Sequence, residues 1–175
     1  VLGLDADGLF TGLWVAAKTD TGAYLSRRTK SMLNNIGGVA GQYKTPVIAS
    51  ELTFFYTNTM QTSPYRGFGR PEATYIIERL IDKAARETGH DALTLRQKNL
   101  VTSDQMPYQT GLTFHYDCGD FPRIVEAAAT QADYVGFEQR RKESEAIGLL
   151  RGIGISNPIE VAGGPFKQIR KDVAR

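Results

Sequence analysis

The sequence predicts an α+β domain in which helices pack on a mixed or antiparallel sheet. Three observations point there. Strand-like runs cluster in the first third of the chain, at 1–4, 9–19 and 47–58. A long amphipathic helical stripe follows, and further helices come after it without the regular βαβ alternation of a parallel sheet. The glycine loop Gly67-Phe68-Gly69 lacks the third glycine of a dinucleotide fingerprint. No Gly-Lys-Ser/Thr follows it either, so it is not a P-loop.

The totals fit one domain. With 175 residues and 41% apolar side chains the chain can bury a real core. Lysine and arginine number 21 against 19 acids, too even a balance to create a basic field for nucleic acid. No apolar run approaches a membrane span, so no membrane partner is expected. The single cysteine, Cys118, excludes an internal disulfide framework and suits a reducing, cytoplasmic compartment. His90, His115 and Cys118 have no metal-ligand spacing. Val1 opens inside a strand-like run and the chain closes without an evident stop, so it reads as a piece of a longer polypeptide.

Taken in order, Val1–Leu4 and Leu9–Thr19 are expected to pair as a hairpin across the Asp5-Ala6-Asp7-Gly8 turn. Apolar residues alternate on both faces of the second strand: Leu9, Leu13, Val15 and Ala17 against Phe10, Trp14 and Ala16. That predicts cover on both sides, with Trp14 in the core rather than serving as a binding platform. Ser26–Asn35 has helical character, with Ser26 as its cap and the glycines at 37, 38 and 41 beyond it. The Arg27–Lys30 cluster reads as a solvated first turn. Val47–Asn58 is a strand with Ile48, Leu52, Phe54 and Tyr56 on one face.

The best helix runs from about Arg70 to Glu87. Ala73, Ile76, Ile77, Leu80, Ile81 and Ala84 form its inner stripe, Glu72 suits its first turn, and Gly89 ends it. Asp91 caps a second helix through Asn99. Residues 101–114 read as loop with a short strand. Asp120 caps a further helix whose inner face is Ile124, Val125, Ala128 and Ala132. Phe137–Ile147 is a charged helix. Arg151–Ser156 is expected to be a strand, with close backbone approach at its glycines. Residues 1–150 therefore form the main α+β unit, and 151–175 a strand and tail leading onward.

The stretch with chemical character is Ser63-Pro64-Tyr65-Arg66-Gly67-Phe68-Gly69-Arg70-Pro71-Glu72. Two glycines free the main chain for close approach by a ligand. Pro71 marks a helix start, where bare N–H groups and the positive end of the dipole favour an anion. An anion or cofactor cradle and a plain strand-to-helix turn with solvated arginines fit the residues equally well.

Tyr65-Arg66-Gly67-Phe68-Gly69-Arg70-Pro71-Glu72-Ala73 resembles the active-site loop of the molybdenum hydroxylases, the family of xanthine dehydrogenase, aldehyde oxidase and the carbon monoxide dehydrogenase large subunit. The likeness continues through Glu78-Arg79, Ile81-Asp82, Asp91 and Leu95-Arg96-Gln97-Lys98-Asn99-Leu100. Weaker matches are Asp7-Gly8, Gly22-Ala23-Tyr24, Tyr116-Asp117, Gly119-Asp120 and Arg151-Gly152-Ile153-Gly154. The resemblance implies an interior fragment of a molybdopterin-binding domain of the aldehyde oxidase/xanthine dehydrogenase type. It implies a molybdenum-molybdopterin cofactor in the full-length protein, with [2Fe–2S] centres and FAD on partner domains or subunits. The implied reaction oxidises an aldehyde or heterocycle with oxygen derived from water.

By the same resemblance, Arg66, Gly67, Phe68 and Gly69 bind the cofactor, and Phe68 also packs against substrate. A hydrophobic plug of the turn is the plainer role for Phe68. Gly67 stands where the copper-dependent carbon monoxide enzymes have a cysteine, so copper and carbon monoxide oxidation are not expected. The region near Asn34 lacks the arginine that orients purines, which argues against purine specificity. The family's general base is a glutamate in a glycine-rich motif that this sequence does not contain. Glu160 lacks that motif and reads as a surface or strand-end carboxylate. No catalytic residue and no metal ligand is assigned within the chain, and the 175 residues alone are expected to be inactive. Two further readings remain: a non-catalytic scaffold or subunit-contact module of the same fold, and a stand-alone anion-binding domain.

Overall fold

The structure, a computed structural model, describes residues 1–25 and 36–160. The expected helix at 26–35, the region near Asn34 and the tail from Val161 lie outside them. Three strands, β1 (Leu2–Leu4), β2 (Phe10–Asp20) and β3 (Ile48–Phe55), form one sheet in that order. β1 pairs antiparallel with β2, and β3 pairs parallel with it, so the sheet is mixed. Helix α1 (Arg70–Thr88) follows, then α2 (Ala92–Asn99), a small ladder of β4 (Tyr108–Gln109) with β5 (His115–Tyr116), α3 (Phe121–Gln131) and α4 (Phe137–Ala146). The expected α+β class and the hairpin of β1 with β2 are both present.

The core joins one face of the sheet to α1, α2 and a buried 3-10 turn at Ile36–Ala40. Phe10, Leu13 and Val15 meet Val39, Tyr43, Ile77, Ile81 and Leu95 there. Ala73, Ile77, Ile81 and Ala84 of the predicted α1 stripe are buried, while Ile76 and Leu80 lie at its margin. Gly89 ends α1 in the left-handed region at φ 76°, and the Asp91 side chain accepts the Thr94 N–H at 2.8 Å to cap α2.

Five expectations are corrected. β2 is covered on one face only: Trp14 is 46% exposed, with Ala16 on the same open side. A register shift between Gly3 and Leu4 puts Leu4 opposite Phe10 and Leu2 opposite Leu13. That irregularity brings Phe10 to the core face three residues from Leu13, where strict alternation assigned it to the other side, and leaves Leu9 exposed. On α3, Phe121 and Val125 face inward; Ile124, Ala128 and Ala132 are exposed, because only one narrow stripe of that helix meets the core. Tyr56 lies beyond β3 and is exposed. Arg151–Ser156 forms no strand. Gly152 and Gly154 have open space around them instead of a neighbouring backbone, and the carbonyl of Ile155 is held by a side chain.

Asn99, at the end of α2, ties the hairpin to the helices. Its side-chain oxygen accepts the Phe10 N–H at 2.8 Å and its amide donates to the Gly8 carbonyl at 2.9 Å. These bonds satisfy backbone groups at the irregular end of the strand pair, where the ladder cannot.

Candidate functional site

The loop before α1 is set by two glycines. Gly67 (φ 80°) and Gly69 (φ 88°) both occupy the left-handed region, which costs L-residues about 1–2 kcal/mol. The Phe68 N–H donates to the Tyr65 carbonyl and the Arg70 N–H to the Gly67 carbonyl, both at 2.8 Å, so two successive tight turns feed the helix. Gly69 is the N-cap residue. With no side chain there, Glu72 reaches back and its Oε2 accepts the Gly69 N–H at 2.8 Å. This is half of a capping box, and it places a carboxylate at the positive end of the helix.

The loop is fixed from behind by the end of β2. Asp20 Oδ1 accepts from the Thr57 hydroxyl and from the Gly22 N–H. The Thr57 N–H donates to the Gly22 carbonyl and the Thr62 N–H to the Thr21 carbonyl. Hydrogen bonds from Thr57 and Gly22 hold the Asp20 carboxyl below the usual carboxylate range. Gly22 is required by its φ of 73° and by space: a Cβ there would lie 2.3 Å from the Met60 carbonyl oxygen. The connection at 57–62 is thus pinned to the sheet before it delivers the loop.

A groove of about 570 Å³ opens beside the loop, lined by Arg66, Gly67, Arg70 and Tyr75 on one side and by Pro158 and Glu160 on the other. Arg66 is exposed at its rim. Arg70 is largely covered, at 17% side-chain exposure. Its Nη1 pairs with Glu160, while its Nε is buried without a hydrogen-bond partner. A buried guanidinium donor left unpaired costs free energy, and an anionic or carbonyl oxygen reaching it recovers that cost. Phe68 is half-buried, as is Gly67, and neither Phe68 nor the buried Gly69 lines the groove. The structure thus brings Arg66 and Gly67 together on the groove and sets Phe68 and Gly69 behind them.

Sequence reasoning missed the opposite wall, Ser156–Glu160: it expected a strand at Arg151–Ser156 and assigned no site role to the residues that follow. Glu160 lies at that wall as the ion-pair partner of Arg70 rather than at a strand end. It also missed Glu72 as a cap in place of a Gly69 side chain, though a glutamate three residues after the loop end is the usual signal.

Residues 1–100, which include the whole of this loop and α1, match the molybdopterin cofactor-binding domain family. The chain belongs to that family.

This molybdopterin-binding-domain chain is 30% identical over 99% of its length to the 6-hydroxypseudooxynicotine dehydrogenase complex subunit gamma of Paenarthrobacter nicotinovorans, of which it covers 23%. It is 31% identical over 92% of its length to the carbon monoxide dehydrogenase large chain of Hydrogenophaga pseudoflava, covering 21% of that protein. Among solved structures, quinoline 2-oxidoreductase from Pseudomonas putida 86 superposes with a TM-score of 0.76 at 30% identity, over 84% of this chain and 19% of the other. The chain therefore spans under a quarter of the length of these relatives. The α+β fold expected from the sequence is the fold of these molybdenum-enzyme domains. Among the described residues, no helix is long and apolar enough to cross a membrane.

Proposed function

We propose that this chain is part of a molybdenum hydroxylase and contributes one wall of its cofactor site through Arg66, Gly67, Phe68 and Gly69. The observation that carries this is the loop itself. Two left-handed glycines strip the main chain of side-chain bulk beside a groove that also holds a largely covered arginine whose buried Nε is unpaired. A Cβ built on Gly67 meets only the Pro71 ring, at 3.3 Å, so the constraint there is conformational and the outer side of the main chain is open. These residues fit a polyanionic pterin cofactor carrying oxygen ligands.

Bound there, the molybdenum-pterin group supplies two-electron oxidation of carbon with oxygen taken from water. The residues of this chain position rather than react. Gly67 and Gly69 let the backbone approach the group closely. Arg66 and Arg70 place positive charge along the groove, Arg70 with a donor to spare. The positive end of the α1 dipole is met by the Glu72 carboxylate, so the positive charge at the groove comes from the arginines. Phe68 packs against a flat or apolar substrate from the inner side of the loop. Glu160 is engaged with Arg70, which supports placing the general base outside these residues.

The substrate class is an aldehyde or an electron-poor heterocycle. The relative named a quinoline 2-oxidoreductase supports the heterocycle, and glycine at position 67 is the residue that disfavours copper and carbon monoxide. Iron–sulfur and FAD domains or subunits complete the electron path. A relative that is one subunit of a dehydrogenase complex supports that arrangement. The remainder of the large subunit completes the site, and the 175 residues alone are inactive. The single cysteine suits a cytoplasmic protein.

The test is molybdenum content of the intact protein, with and without Arg66→Ala, followed by an aldehyde and heterocycle screen. Bound molybdenum and oxidation of one class support the assignment. A metal-free wild-type protein would sink it, as would a metal-loaded, active 175-residue chain sink the claim of inactivity. Phosphate binding by a metal-free protein, lost in Arg66→Ala, would instead favour a plain anion-binding domain.

A further inference from the structure

The groove has a second wall that owes its place to a buried polar network. Ile155–Glu160 has no regular secondary structure, yet side chains from other elements hold it at four points. Arg96 Nη2 on α2 donates to the Ile155 carbonyl at 3.1 Å. Asn157 Nδ2 donates to the Tyr43 hydroxyl at 3.1 Å. Gln42 Nε2 donates to the Pro158 carbonyl at 3.1 Å. Glu160 pairs with Arg70 of α1. The segment acts as a strap across the helices, and its residues 156, 158, 159 and 160 face the groove.

Two of these ties belong to one network. Arg96 is wholly buried; its Nε donates to Glu78 Oε2 at 2.8 Å and its Nη2 to Asp82 Oδ1 at 2.8 Å. The other Glu78 oxygen accepts the Tyr43 hydroxyl at 2.7 Å, and Tyr43 in turn accepts from Asn157. Burial opposes the charge on Arg96, and Glu78, Tyr43 and Asp82 around it together outweigh that, so its pKa lies above the ordinary arginine value. Burial and the same carboxylate push the Tyr43 hydroxyl far up, which keeps it a neutral donor. Apolar residues replacing Arg96 and its buried partner Glu78 together would join α1 to α2 about as well, because a buried ion pair taken as a whole gives little net stability. A network of this kind fixes geometry, and the geometry it fixes here is that of the strap.

We propose that Arg96, Tyr43 and Asn157 are positioning residues that hold the Ile155–Glu160 strap as the second wall of the groove, at a set distance from the Arg66–Gly69 loop, and thereby control retention of the group bound between them. This rests on the groove taking the molybdopterin cofactor, as proposed above.

Asn157→Ala, made in the intact protein with whatever subunits it carries, removes one of the strap's two ties to the network and leaves the Arg96–Ile155 bond and the Arg96–Glu78 pair in place. Hydrogen exchange over 152–160 should rise by about fivefold, the factor one neutral hydrogen bond is worth, with α2 unchanged. Molybdenum should leave the protein faster on dialysis, and the EPR signal of the partly reduced metal should broaden. Gln42→Ala, which removes the separate tie to Pro158, should act in the same direction. A looser strap with wild-type metal retention and spectrum would show a purely structural network and overturn the proposal. So would unchanged exchange in the strap of a metal-loaded variant. Wild-type protein without molybdenum would overturn the cofactor assignment and the retention claim together, a result distinct from either of these.

Discussion

Arg96 and Glu78 form an ion pair with both side chains out of solvent, 2.8 Å apart and 18 residues distant in sequence. Each carries further bonds, so removing either strands the other. Arg96→Ala leaves the Glu78 carboxylate facing a cavity without its counter-charge. The expected loss is about 3–5 kcal/mol, read from denaturant unfolding of the intact protein. Arg96→Met, which removes the charge and fills the space, should cost less when combined with Glu78→Gln than either single change predicts by addition.

The glycines of the loop should not tolerate a side chain. Gly67→Ala places Cβ in the left-handed region and 3.3 Å from Pro71 Cδ. A loss of about 1–2 kcal/mol is expected from the backbone alone. Bound molybdenum should fall by more than the change in stability explains, as measured by metal content after gel filtration. Full metal content in the alanine variant would remove close backbone approach from the account.

Glu72→Ala should unseat the start of α1. Its carboxylate is the side chain that satisfies the Gly69 N–H, and caps of this kind are worth about 1 kcal/mol. Faster hydrogen exchange over residues 69–73, with the rest of α1 unaffected, is the signature.

The anchor at Asp20 makes the approach to the site acid-sensitive. Its carboxyl pKa is lowered in the folded protein, so its contribution is present above the ordinary carboxylate range and is lost as the pH falls through the lowered value. Exchange protection over 57–62 should therefore drop below about pH 4. In Asp20→Asn it should already be reduced at neutral pH. Protection in wild type that does not change with pH would refute the anchor.

Phe68→Ala tests substrate contact apart from cofactor binding. The expected outcome is weaker binding of an aldehyde or heterocycle, seen as a raised KM with metal content unchanged. An equal fall in metal content and activity would identify Phe68 as a plug that holds the turn, in keeping with its half-buried position off the groove.

Much of the fold was legible because local signals agreed. The α1 stripe, Gly89 as its stop and Asp91 as the next cap are encoded within a few residues of where they act. Trp14 and Ile124 were misplaced for a common reason. Their apolar character marks a surface wanting cover, and periodicity cannot say that the described residues leave it open. Phe10 was misplaced because a register shift breaks period two. At the site, glycine spacing gave the loop, while the strap was invisible. Its ties run from Gln42 to Pro158 and from Arg96 to Ile155, and such distant bonds leave no local pattern.

The mixed sheet has a practical consequence. β2 is central, and among the described residues neither β1 nor β3 has a second neighbouring strand. The exposed Val47 and Phe55 sit at the two ends of β3, and Trp14 lies in the middle of the open face. Bare strand edges beside apolar side chains are templates for adding further strands, from the wrong chain as readily as from the right one. Expressed alone, the 175 residues are therefore expected to self-associate, seen as concentration-dependent elution on gel filtration, and a preparation that stays monodisperse is expected to be one in which those edges are covered.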